Sequence, residues 1–83
     1  MILNTVKTDN KETRVAVITS KVLGGAVVRN RAKRRIRASV DQLLPMITPG
    51  WDLVIIARKN VVQAESEELR NALRDLLTKA GIL

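Results

Sequence analysis

Arg29-Asn30-Arg31-Ala32-Lys33-Arg34-Arg35-Ile36-Arg37-Ala38-Ser39-Val40-Asp41-Gln42-Leu43-Leu44 carries two patterns at once. Ala32, Ile36, Val40 and Leu43, with Ile47 beyond them, recur at spacings of three and four, which is one apolar face of a helix. Lys33, Arg34, Arg35 and Arg37 fall off that face. Asn30 is the expected N-cap, because its side chain can accept from the free amides of the first turn. Pro45 and Pro49 limit the helix, which should end near Leu44.

Outward from this helix the chain reads as strands and one further helix. Gly24-Gly25 upstream marks a loop. Residues 2–8 and 13–20 are short and rich in β-branched residues, so both read as strands. The polar turn formers Asp9-Asn10-Lys11-Glu12 between them suggest an antiparallel hairpin. Downstream, residues 52–58 are almost continuously apolar, as in a strand buried on both faces. Residues 66–80 form the last helix, with Leu69, Leu73, Leu76, Leu77 and Ala80 as its apolar stripe. Ser66 is its expected cap, Glu67 and Glu68 suit its positive end, Lys79 its negative end, and Gly81 its stop. The order is β-β-α-β-α. The expected fold class is α/β (α+β), a two-layer sandwich of helices against one sheet, as a single domain over residues 1–83.

Composition narrows the function. The chain has 83 residues and a net charge of +7. The charge is lopsided: residues 1–40 hold ten Lys and Arg against Asp9 and Glu12, and residues 41–83 hold five against six acids. One half carries the whole positive field, which points to a polyanionic partner. The chain has no Cys and no His, which removes disulfides, thiolate metal sites and the commonest general base. No apolar run approaches a membrane span, and the N-terminus lacks the order of a signal peptide, so a cytoplasmic protein with no membrane role is expected.

Six of the nine residues from Arg29 to Arg37 are cationic. Like charges at helical spacings of three and four repel. A polyanion relieves that repulsion, since each cation placed on a phosphate also releases counterions. The prevalence of Arg over Lys suits bidentate phosphate contacts and stacking on bases. A solvated helix face would mix its signs, as the C-terminal helix does. A membrane-surface helix would need bulkier apolar residues than Ala32, Ile36 and Val40.

The order of these residues adds a resemblance. Ser20-Lys21, then Gly24, then Ala26-Val27-Val28-Arg29-Asn30-Arg31-Ala32-Lys33-Arg34-Arg35-Ile36-Arg37 resembles the signature of the protein subunit of bacterial ribonuclease P. Residues 52–58 resemble that family's inner strand, and residues 68–83 its closing helix. The resemblance implies a ribosomal-protein-like domain with a left-handed β-α-β crossover. It implies a protein that binds the catalytic RNA of ribonuclease P and helps the complex bind precursor tRNA for 5′ maturation. The RNA and its Mg²⁺ ions then perform the endonucleolytic cleavage, and the protein itself binds no cofactor and supplies no catalytic residue. By position, the resemblance makes Arg29, Asn30, Arg31, Lys33, Arg34, Arg35 and Arg37 the RNA-contacting element. Lys21 fits a phosphate contact at the loop edge.

Two departures refine that expectation. Family members begin with an additional basic helix, whereas this chain begins close to its first strand and has no Phe or Tyr to line a cleft for the 5′ leader. The residues therefore support docking to the catalytic RNA more than leader binding. The apolar patch that such a helix would cover should be exposed, met by self-association, packed differently, or the mark of a shortened form. Val22 stands where the family often has a second Lys. Trp51, the only aromatic residue, reads as packing over a neighbouring helix, with stacking on a base as the sharper alternative. The rival readings are a basic ribosomal-type RNA-binding domain without a processing role, and a nuclease acting alone. The second would need a carboxylate cluster or a base.

Overall fold

The computed structural model describes residues 1–9 and 11–83. Its elements are β1 (Ile2–Lys7), β2 (Arg14–Ile18), α1 (Ala26–Leu43), β3 (Trp51–Ile56) and α2 (Ser66–Lys79), in the expected β-β-α-β-α order. Short 3₁₀ turns at Lys21–Leu23, Leu44–Met46 and Lys59–Val62 join them. Pro45 lies in the turn that closes α1.

The strand order is β1-β3-β2, so the first two strands do not form the expected hairpin. β1 runs antiparallel to β3, with Leu3 opposite Ile55 and Thr5 opposite Leu53. β2 runs parallel to β3, with Val15 opposite Leu53 and Val17 opposite Ile55. The reason lies in β3. Its Leu53-Val54-Ile55-Ile56 run is the most apolar of the three strands, and at the centre both its edges are hydrogen-bonded. A β1–β2 hairpin would have left β3 at an edge with a row of unpaired amides and carbonyls. The expected turn at residues 9–12 thus joins the two outer strands, and its Asn10 lies outside the described residues. β2, α1 and β3 make a parallel β-α-β crossover.

One face of the sheet is covered. Val17, Leu53 and Ile55 join Ala32, Ile36, Val40 and Leu43 of α1 and Leu69, Leu73 and Leu77 of α2 in a single apolar cluster. Ile36, Leu43 and Leu73 are completely buried. The opposite face carries Ile2, Ile56 and Ile18 in one cross-strand row and Asn4, Val54 and Ala16 in the next. There Ile18 is 49% exposed and Val6 58%. β3 is therefore buried on one face rather than two, because both helices contribute to the same side. Ile2, Val6 and Ile18 are the exposed large apolar side chains of this open face.

α2 starts one residue earlier in capping terms than its sequence suggests: Glu65 is the N-cap and Ser66 the first helical residue. At the other end, Gly81 has φ of 77°. The Ile82 N–H donates to the Leu77 carbonyl and the Gly81 N–H to the Thr78 carbonyl, both at 3.0 Å, which is a Schellman closure. Ile82 and Leu77 are buried together, so the cap also adds to the core. Ala80 is exposed and Leu76 half-buried, which narrows the predicted stripe to Leu69, Leu73 and Leu77. Trp51 is half-buried against the core cluster, as the packing reading expects.

Candidate nucleic-acid interface

α1 begins at Ala26, four residues before Asn30, with Gly25 as N-cap. The Arg29 N–H already donates to the Gly25 carbonyl at 3.0 Å. Asn30 is thus inside the helix with an exposed side chain, and it caps nothing. The early start is set by Gly24, whose φ of 135° turns the chain into the helix. A Cβ at Gly24 would come within 3.2 Å of Val28 Cβ, so a glycine is needed both for conformation and for space.

This shift changes the electrostatics of the basic segment. No acidic residue occupies the first turn of α1. Arg29 instead closes the first turn, near the positive end of the helix dipole, where a cation is disfavoured. Among the described residues the one ion pair joins Arg14 to Asp52, so no cation of α1 has a carboxylate partner. Repulsion between the cations and with the helix dipole is left for something outside the chain to neutralise.

At 3.6 residues per turn the segment splits over two flanks of α1. Asn30, Lys33 and Arg34 line one shallow depression together with Val27. Arg31 and Arg35 lie on the other flank, against Val28 and Val62. Arg31, Arg34 and Arg37 are exposed, and Arg29 and Lys33 are half-buried beside the apolar stripe. Arg29 Nε is buried with no hydrogen-bond partner. Lys21 is exposed in the turn before Gly24, and the neighbouring Val22 is 73% exposed.

Arg35 differs from the rest. Its guanidinium donates to the carbonyls of Val61 at 3.1 Å and Val62 at 3.5 Å, and to that of Ala64. It ties the segment between β3 and α2 onto α1, so much of its donor capacity is spent inside the protein. Sequence reading groups Arg35 with its neighbours, because its acceptors lie more than 25 residues away in the chain. The same reading passes over Arg70 on α2. Arg70 hydrogen-bonds Gln42 Oε1 at 2.9 Å across the helix pair and shares a cleft with Arg34 and Arg35. Nothing local in the mixed-sign C-terminal helix singles it out.

On the open sheet face Arg14 grips Asp52 with two bonds, Nε to Oδ1 at 3.0 Å and Nη2 to Oδ2 at 2.8 Å. Those bonds hold the Asp52 carboxyl below the usual carboxylate range. Among the described residues no three His, Cys, Asp or Glu side chains lie close enough together to hold a metal ion. Nor is any helix long and apolar enough to cross a membrane.

The chain matches the ribonuclease P protein family over residues 1–81. A ribonuclease P protein component from Roseiflexus castenholzii is 40% identical over 84 aligned positions, covering 100% of this chain and 69% of that protein. One from a Cyanothece species is 47% identical over 66 positions, covering 80% of this chain and 50% of that protein. The fold agrees as well. The RNase P protein of Staphylococcus aureus superposes with a TM-score of 0.83 at 28% identity, covering 96% of this chain and 73% of that one. The Thermotoga maritima RNase P protein gives 0.84 at 25% identity, covering 93% and 74%. The basic helix, the sheet it packs on and the closing helix all fall within the matched span, and the chain belongs to the ribonuclease P protein family.

Proposed function

We propose that this chain docks the catalytic RNA of ribonuclease P through the exposed cations of α1 and thereby assists 5′ maturation of precursor tRNA. RNA binding and tRNA processing are the role of its family. The observation that carries the residue-level reading is the unneutralised face of α1: Arg31, Arg34 and Arg37 exposed beside Asn30 and Lys33, with no carboxylate partner among the described residues. Arg29 and Lys21 extend that surface toward the Gly24 turn. Arg35 serves mainly by holding the surface in shape.

In this reading the protein's part is electrostatic and positional. Lys and Arg on phosphates fix register and screen the repulsion between two RNAs, and the RNA subunit with its Mg²⁺ performs the cleavage. Screening by protein cations matters most where Mg²⁺ is scarce. Adding the chain to a bacterial ribonuclease P RNA should therefore speed precursor-tRNA cleavage at low Mg²⁺, with a smaller effect at high Mg²⁺. RNA binding without stimulation at any protein concentration would favour a basic RNA-binding domain with no processing role. Cleavage by the protein alone would favour a nuclease. The cytoplasm is the compartment this role requires. Self-association through Ile2, Val6 and Ile18 on the open face belongs to the same reading, and a sedimentation coefficient independent of concentration would remove it.

A further inference from the structure

α1 and α2 leave a cleft of about 250 Å³ between them. Arg34 and Arg35 face it from α1 and Arg70 from α2, with Ser39, Gln42 and Ser66 as its other polar groups. No acidic side chain lines it. Three guanidinium groups sharing one concavity without a counter-charge repel each other. Two of the three are also held in place: Arg35 by the carbonyls of Val61, Val62 and Ala64, and Arg70 by Gln42. A guanidinium has five N–H donors, so both keep donors to spare. Fixed, unneutralised arginines with donors to spare, lining a small polar cleft, match an oxyanion. The volume falls below the range of about 300–1,000 Å³ usual for drug-sized ligands, and suits a compact group.

We propose that the cleft formed by Arg34, Arg35 and Arg70 seats a single phosphodiester phosphate of the RNA partner, extending the RNA-binding surface from the basic helix onto the C-terminal helix. This rests on the RNA-docking reading above and adds a residue outside the basic segment. One phosphate there bridges both helices, so α2 senses RNA through Arg70. Ser66, the first residue of α2, also lines the cleft and places a hydroxyl-bearing side chain at its rim.

The test is binding of the full chain to ribonuclease P RNA across a series of monovalent-salt concentrations. Arg70→Gln should weaken binding about tenfold, the loss of a charged hydrogen bond. It should also flatten the slope of log affinity against log salt by about 0.7–0.9, one phosphate contact. Arg70→Lys should keep the slope. Ser66→Asp should weaken binding while leaving thermal stability equal or higher, because a carboxylate suits a helix start but repels a phosphate. That variant separates loss of binding from loss of fold. If Arg70→Gln and Ser66→Asp bind like the parent while Arg31→Gln binds weakly, the cleft proposal fails and RNA docking stands. If the parent chain itself does not bind, both fail. Inorganic phosphate, followed by NMR of the arginine Nε–H signals, should bind weakly and be displaced by RNA. Tight binding that RNA leaves undisturbed would assign the cleft to a free anion and overturn the proposal.

Discussion

Arg34 and Arg35 are neighbours in the chain and have different tasks. Arg34 is exposed, whereas Arg35 is half-buried and bonded to the carbonyls of Val61, Val62 and Ala64. Arg35→Met keeps much of the stem's packing but leaves those carbonyls short of a donor. It should cost about 1–3 kcal/mol in chemical denaturation, and it should speed protease cleavage within residues 59–64. Unchanged stability and proteolysis would remove the tie as a structural element. Asp52 offers a second residue-scale test. Its carboxyl is held low by hydrogen bonds from Arg14. The pair therefore contributes fully above the unfolded carboxylate value of about 3.9, and that contribution is lost as pH falls through the lowered folded value. Asp52→Asn should lower the thermal midpoint near neutrality and converge with the parent in strong acid. The gap should be small, because the Arg14 side chain is 66% exposed to screening water. A gap that persists unchanged in acid would mean that the pair is not its source.

At the scale of elements, the placement of α1 depends on Gly24 more than on any polar cap. With φ at 135° and ψ at −162°, Gly24 occupies a region essentially closed to other residues. Gly24→Ala should destabilise the protein by about 1–3 kcal/mol, with the added crowding against Val28 increasing the effect. Gly25 makes the opposite prediction. It caps α1 without a side chain, at φ of −71°, and a Cβ there meets nothing within 4 Å. Gly25→Ser supplies the missing acceptor and should stabilise by a few tenths of a kcal/mol, about the measured difference between the two caps. Urea titration of both variants checks the pair of signs. A neutral Gly24→Ala would show that the turn can be made another way.

For the molecule as a whole, the decisive feature is a sheet with one covered and one open face. Ile55 and Ile18 are identical side chains, 1% and 49% exposed. Ile55→Ala should cost about 2–5 kcal/mol through lost burial and a cavity. Ile18→Thr, which keeps β-branching, should stay within about 0.5 kcal/mol. Equal costs would mean that the open face is packed in solution. The cations of α1 line its solvent-exposed flanks and the cleft shared with α2, and α1 packs on the covered side of the sheet, so RNA docking and the open sheet face use different surfaces.

Local patterns along the chain already specify the type and order of the elements, the apolar stripe Ala32, Ile36, Val40 and Leu43, the Gly81 stop and the basic segment. All of these rest on local periodicity, local turn chemistry or residue order, which the chain carries within a few positions. The sequence did not determine which strands pair. β1 and β2 both look able to pair with each other, and the choice of β3 as centre depends on satisfying both its edges at once. It pointed to Asn30 as the start of α1, whereas the turn at Gly24 places the cap at Gly25. It could not distinguish Arg35 from Arg34 or bring Arg70 into view, because the carbonyls and the cleft that define them come from distant segments. Charge content is a property of the chain. Which charges are spent inside the protein and which remain for a partner is decided only when the helices and the sheet pack.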